Sequence, residues 1–270
     1  MKKILALTAA LCLLIPAAAL AGSAPNGDFR VGMECDYTPF NWTQAEPSAF
    51  TVPLEGGGYA DGYDVRVARL IAEGLGKNLV IVKTDWDGLP PALLSGKIDA
   101  IIAGMSPTAE RAVTIDFTDP YYVSELMIVV RKDSVYANAE SLADFAGARI
   151  TAQQNTFHYT VIGQIPDVVQ ETALASFPAM TVALASGKID GYVSEQPHAE
   201  QVVKANPDLT FIAFAEGKGF EASMEGLSIA VGLKKGSDLL EPINEILAAF
   251  SQDARIELMI AATEDSELGA

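Results

Sequence analysis

The chain has 270 residues, half of them hydrophobic and one fifth charged, as in an ordinary folded protein. Eighteen Lys and Arg stand against 35 Asp and Glu, a formal net charge of −17. That balance excludes nucleic acid and anionic membrane surfaces as partners, since both need a basic footprint, but it does not exclude small cationic ligands.

Lys2 and Lys3 precede an apolar run over residues 4–20 that ends in Ala19-Leu20-Ala21. A basic start, a short apolar core and an A-x-A ending predict an export signal, residues 1–21, cleaved before Gly22. Cys12 leaves with it, and no cysteine stands directly after Ala21 to accept a lipid. Cys35 then remains alone, so no intramolecular disulfide is possible. The expected location is the periplasm, with the chain held by neither lipid nor membrane helix.

From Arg30 onward, short β-branched runs alternate with helical patterns, which predicts a mostly parallel α/β fold. Residues 64–75 read as a helix with Val67, Leu70, Ile71 and Leu75 on one face and Gly76 as its stop. Residues 79–83 form the next expected strand, 89–95 a helix stopped by Gly96, and 98–103 a buried strand. Strands are expected over 126–131, 149–152, 168–171, 191–193 and 227–233. Helical patterns close the chain at 239–250 and 254–262. The Pro- and Gly-rich stretch 43–58 reads either as a flap near a pocket or as a surface loop.

One segment occurs twice. Residues 92–99, Ala-Leu-Leu-Ser-Gly-Lys-Ile-Asp, return as 183–190, Ala-Leu-Ala-Ser-Gly-Lys-Ile-Asp, with Trp86 and Phe177 at the same offset before each copy. Two such copies, a small domain apart, predict two similar lobes. In open α/β sheets ligands bind beyond the carboxyl ends of strands, so the residues just after each copy are expected to carry the function. The first copy runs into residues 104–111 with Arg111, and the second into 194–197 with Glu195. A cation from one lobe and an anion from the other suit a zwitterion.

Several ordered motifs now coincide: Tyr37-Thr38-Pro39-Phe40, Gly62-Tyr63-Asp64-Val65, Trp86-Asp87-Gly88-Leu89, Thr108-Ala109-Glu110-Arg111 and Asp116-Phe117-Thr118-Asp119-Pro120-Tyr121-Tyr122. With both Ser-Gly-Lys-Ile-Asp copies they span nearly all of residues 22–270. The sequence resembles the bacterial extracellular solute-binding proteins of family 3, the amino-acid receptors of ABC importers, and most of all the basic-amino-acid receptors. The resemblance implies a type II periplasmic-binding-protein fold: two α/β lobes, two crossover hinge segments and a ligand cleft between them. Lobe 1 would comprise 22–122 and 226–270, lobe 2 123–225, with crossovers near 122–125 and 222–225.

The resemblance also assigns roles. Arg111 matches the arginine that clamps the ligand carboxylate, for which a planar guanidinium is suited. Gly104, Met105 and Ser106 line the same turn, with Gly104 bringing a carbonyl near the ligand ammonium. Glu195 stands where many relatives carry Asp for that ammonium. Thr156 matches a carboxylate-binding threonine, with Asn155 in place of the usual Gly and Phe157 in place of a second Thr. Glu34 falls where basic-residue receptors hold an acid for the distal cation. Tyr37 and Trp86 would sandwich the ligand side chain, and Gln153 would face the same pocket. His158 is expected on a helix surface before the alternative, a contribution to the cleft from the turn after Thr156.

The implied function is capture of a free L-amino acid, arginine before lysine, with a Kd on the order of nM to µM. The closed form would be delivered to membrane permease subunits energised by a cytoplasmic ATPase, with the chain acting as a monomer. Cyclohexadienyl or arogenate dehydratases share the fold and leave an enzymatic alternative, with Glu195 or Glu34 as acid. An amino-acid sensor feeding a receptor kinase is the other alternative. No His/Cys cluster, dinucleotide motif or phosphate loop occurs, so neither metal nor cofactor is expected.

Overall fold

The structure, a computed structural model, describes residues 26–268; the expected export signal lies outside the described residues. Two five-stranded sheets organise the chain. In the first, Asp28–Met33 pairs in parallel with Asn78–Lys83 and with Ala100–Ile101. Gly232–Lys234 returns from late in the chain to lie antiparallel between Ala100–Ile101 and Ile115–Phe117. In the second sheet, Leu126–Arg131 lies antiparallel to both Gly191–Glu195 and Leu209–Ile212. Arg149–Thr151 joins that sheet in parallel with Gly191–Glu195 and Val169–Gln170. Each sheet is therefore mixed, where periodicity predicted mostly parallel pairing; apolar runs report burial but not strand direction.

A short antiparallel pair, Tyr122–Val123 with Ser228–Ile229, carries the chain between the sheets. The expected second crossover, 222–225, lies just before Ser228–Ile229 in the chain. There Ser223 caps the helical turn Met224–Leu227, its Oγ accepting from Gly226 N at 3.2 Å.

Local chemistry explains the main elements. Helix Tyr63–Gly74 buries Val67, Ala68, Ile71 and Ala72 on one side, and each fully buried Val or Ile contributes about 1.5–3 kcal/mol. Its buried Arg66 donates to Asp61 at 3.2 Å and to Asp265 at 2.6 Å, tying the last helix, Gln252–Leu268, to the first lobe. The two copies of the repeat do identical work. Helices Leu89–Leu94 and Phe177–Ala185 end at left-handed Gly96 and Gly187 (φ 77° and 72°), where a side chain would be strained. Asp99 and Asp190 then accept from the backbone N–H of Arg30 and Arg149, at 2.8 and 2.9 Å, fixing each strand to its neighbour.

The stretch 43–58 is a surface loop. It belongs to a small antiparallel sheet in which Asn41–Gln44 and Val52–Pro53 flank Tyr59–Asp61. It packs on helix Tyr63–Gly74, with Arg66 over the Phe50 ring at 4.3 Å and Arg69 donating to the carbonyls of Phe50 and Thr51. Among the described residues, no helix is long and apolar enough to cross a membrane.

Candidate functional site

The carboxyl ends of the two sheets face one another across a cleft. From the first lobe, Tyr37, Trp86, Gly104, Ser106 and Arg111 wall its central cavity; from the second come Gln153, Thr156, Phe157, His158, Phe177 and Glu195. Its free volume is about 10 Å³, barely what a single water needs. Outside it lies a wider depression of about 1000 Å³, sharing Trp86, Arg111, Thr156 and Phe157 with the inner cavity. The lobes are closed on their own side chains, with Arg111 between the inner cavity and the outer depression.

Arg111 opens a short turn, Arg111–Val113, and bridges the lobes. Its Nη1 donates to Ser106 O and its Nη2 to Asn155 O, both at 2.8 Å, and its guanidinium lies 5.1 Å from the Trp86 ring centroid. Trp86 therefore faces this internal cation. Burial lowers the Arg111 pKa to about 10 while neighbouring Glu110 opposes the fall, so the group stays charged at neutral pH.

Gly104 is required by close approach and by its positive φ of 63°; a Cβ there would lie 2.8 Å from the Tyr37 ring. Beneath it, buried Asp64 accepts from Tyr121 Oη at 2.7 Å, from Asn41 Nδ2 at 2.8 Å and from the Gly104 backbone. Burial pushes the Asp64 carboxyl up to about 7 against the pull of those bonds. The Gly-Tyr-Asp-Val motif marked this residue, although its task of anchoring the binding loop emerges only in three dimensions. Ser106 donates its hydroxyl to Gly226 O at 3.1 Å, and Met105 accepts from Ala230 N at 3.0 Å. Met105 borders the outer depression and not the central cavity.

In the second lobe, Asn155 adopts a left-handed φ of 55°, the conformation its substitution for Gly requires. Thr156 donates to Gln153 O at 2.6 Å and caps helix Phe157–Val161. Gln153 reaches across the cleft, donating to Glu34 Oε1 at 2.9 Å. Glu34 is only 5 % exposed and lies behind Gln153, outside the cavity wall. Burial, aided by Asp36, pushes its carboxyl up to about 8 while the Gln153 bond opposes. Cys35 next to it is buried, and its thiol is pushed up to about 12, chiefly by burial.

Glu195 ends strand Gly191–Glu195 and is 4 % exposed. Burial raises its carboxyl to about 8. His158 is buried beside it, not on a helix surface, with Nε2 at 2.9 Å from Glu195 Oε1. Burial, then Arg111 and His198, push the imidazolium down to about 3, so this contact is a hydrogen bond of a neutral ring and not an ion pair. His158 thus takes the second of its two expected places, the cleft, because its burial comes from packing distant in the chain.

Phe177 was missed by sequence reasoning. Its ring stacks on Tyr37 across the cleft at 4.0 Å and 7°, so Tyr37 faces Phe177 where a sandwich with Trp86 was expected. Its position before the second repeat, matching Trp86 before the first, was the available signal. Further bonds join the lobes: Asp87 accepts from Asn155 Nδ2 at 2.8 Å and from Gln154 Nε2 at 2.5 Å, and His198 Nδ1 lies 2.6 Å from Thr38 O. Among the described residues, no group of three or more His, Cys, Asp or Glu is placed to hold a metal. The cleft thus sets the Arg111 cation across an enclosed space from Glu195, with a second buried carboxyl behind Gln153.

Comparison with known proteins agrees with this architecture. A protein of Campylobacter jejuni described as a probable histidine-binding protein is 31% identical over 236 residues, covering 87% of this chain and 84% of that one. The arginine-binding extracellular protein ArtP of Bacillus subtilis is 27% identical, covering 95% of this chain and 96% of its own. Among solved structures, an amino acid ABC transporter substrate-binding protein from Streptococcus pneumoniae bound to L-arginine superposes with a TM-score of 0.75 at 26% identity, covering 88% of this chain and 94% of that one. The profile of a family matches residues 29–261. The chain belongs to the bacterial extracellular solute-binding proteins, family 3.

Proposed function

We propose that this protein binds a free cationic L-amino acid, arginine before lysine, between its lobes and delivers it to the permease subunits of an ABC importer driven by a cytoplasmic ATPase. The observation that carries the reading is Arg111 and Glu195 facing one enclosed cavity from opposite lobes. A carboxylate displaces Asn155 O from Arg111 Nη2, and an ammonium meets Glu195. Glu34, reached past Gln153, receives the distal cation once Gln153 turns aside. The named ligands of the arginine-binding relatives support this choice.

In the same reading Gly104, Met105, Ser106 and Thr156 shape the cleft around the ligand, and Tyr37 and Trp86 line it. Residues 22–122 with 226–270 form one lobe, and 123–225 the other. The chain acts as a monomer in the periplasm after losing residues 1–21, and performs no catalysis. Closure is driven by contacts that the ligand makes with both lobes at once.

Thermal-shift screening of the amino acids tests the reading. Arginine and lysine should stabilise the wild type most, and Arg111→Ala should lose every response. Glu34→Gln should lose the response to arginine and lysine but keep weak responses to neutral amino acids; equal loss for all would refute the assignment of Glu34. Turnover of prephenate or arogenate by the wild type would refute the non-enzymatic reading.

A further inference from the structure

The roles assigned so far leave His158 without a task. It is 6 % exposed, stands on the short helix Phe157–Val161 and holds Glu195 Oε1 at 2.9 Å. The remaining polar atom of each side chain, His158 Nδ1 and Glu195 Oε2, is buried with no partner, and both residues wall the central cavity. A buried polar atom left unbonded costs roughly 1–3 kcal/mol, so two on neighbouring residues that wall one cavity mark a place built for a hydrogen-bonding guest. With the hydrogen on Nε2 and the Glu195 carboxyl ionised, as an arriving cation favours, Oε2 is an acceptor facing the cavity and Nδ1 a separate one on the far side of the ring. A primary ammonium has an N–H donor to offer Oε2.

We propose that His158 is a specificity and positioning residue: it donates Nε2–H to Glu195 Oε1 and fixes that carboxylate so that Oε2 accepts from the ligand's primary ammonium. The inference rests on the reading of the cleft as an amino-acid site. The titratable groups facing the imidazole are Glu195, Arg111 and His198, with the Phe177 ring edge-on at 6.5 Å. Burial and the Arg111 charge keep the ring neutral. A neutral ring does not repel an ammonium as an imidazolium would, and Arg111 across the cavity is left to the carboxylate. The pair thereby sets the orientation of a zwitterion.

Calorimetry with L-arginine and its α-hydroxy analogue, which lacks the ammonium, tests the proposal. The wild type should prefer arginine by about 100-fold, and His158→Leu should cut that preference by about tenfold or more. His158→Gln, which keeps an N–H donor and one acceptor, should restore most of it. Equal weakening of both compounds by His158→Leu would reduce the residue to a packing role and overturn the proposal. Nitrogen NMR of the ligand-free wild type gives a second readout that does not depend on variant folding. At about pH 9, above the Glu195 value of about 8, His158 should be neutral and protonated on Nε2. A ring protonated on Nδ1 there, or one titrating near its ordinary value, would overturn the proposal. If the wild type binds neither compound, the amino-acid reading fails, and the NMR result alone decides the arrangement of the pair.

Discussion

Replacing Glu34 with glutamine should change how many protons leave the protein when arginine binds. Glu34 is buried at the end of strand Asp28–Met33 and accepts from Gln153 across the cleft. Burial raises its carboxyl from 4.5 to about 8, and Asp36, Asp85 and Asp87 on the same lobe push it the same way. A shift of that size corresponds to roughly 5 kcal/mol against the ionised form, an order-of-magnitude figure. Because those three acids belong to the first lobe, part of the shift survives when the cleft opens. A guanidinium arriving beside Glu34 favours the carboxylate and drives its proton off. The empty protein therefore holds the proton below about pH 8, the complex does not, and affinity rises with pH up to that value. One carboxyl can steepen the rise by at most tenfold per pH unit. Calorimetry at about pH 7, in buffers of different ionisation enthalpy, counts the protons released. Wild type should release a measurable fraction of a proton from Glu34, and Glu34→Gln should lose that contribution and bind arginine about 10- to 100-fold more weakly. Identical proton counts and unchanged arginine affinity in Glu34→Gln would refute the reasoning.

The same geometry has other consequences. Arg111→Lys keeps the charge but loses the fork that spans Ser106 O and Asn155 O, so ligand affinity measured by fluorimetry should fall at least about tenfold. Phe177→Ala removes a buried ring stacked on Tyr37 and should cost about 3–5 kcal/mol in urea unfolding; a cost under about 1 kcal/mol would contradict the packing. Asp87→Ala deletes the acceptor of two bonds between the lobes, and small-angle scattering of the ligand-free protein should show a larger radius of gyration. Glu34 and Glu195 both have raised folded values, so the stability they contribute is present at low pH and lost as pH rises through about 8. His158 and His198, held neutral by burial, oppose that loss below their ordinary value of 6.5, so the melting temperature of the empty form should fall between about pH 6.5 and 8, and saturating arginine should flatten the fall.

Local patterns made much of the fold legible. Helix Tyr63–Gly74 is dictated by the spacing of Val67 and Ile71, and the strand Leu126–Arg131 by an unbroken apolar run. The repeat was visible because each copy solves the same local problem, a glycine stop and then an aspartate that pins a strand. Residues 98–103 read as one long strand, but pairing is confined to Ala100–Ile101 because the buried chain then turns into the binding loop at left-handed Gly104. Arg111 could be named from its motif. His158 and Phe177 could not be placed, because a histidine next to Glu195 and an aromatic ring on Tyr37 are products of lobe closure, which no window of sequence contains. The same holds for Trp86: its aromatic character is read from the sequence, but its engagement by Arg111 is not.

Titration calorimetry of unfolded, ligand-stripped and refolded protein against arginine, lysine, histidine, glutamine and glutamate is the decisive measurement for the cleft formed by Arg111, Glu195 and Glu34. Saturable one-to-one binding is expected, confined to the cationic amino acids, arginine tightest, with a Kd on the order of nM to µM. A clear preference for glutamine or glutamate would contradict the assignment of Glu34. Absence of binding across all five would contradict the amino-acid site formed by Arg111 and Glu195.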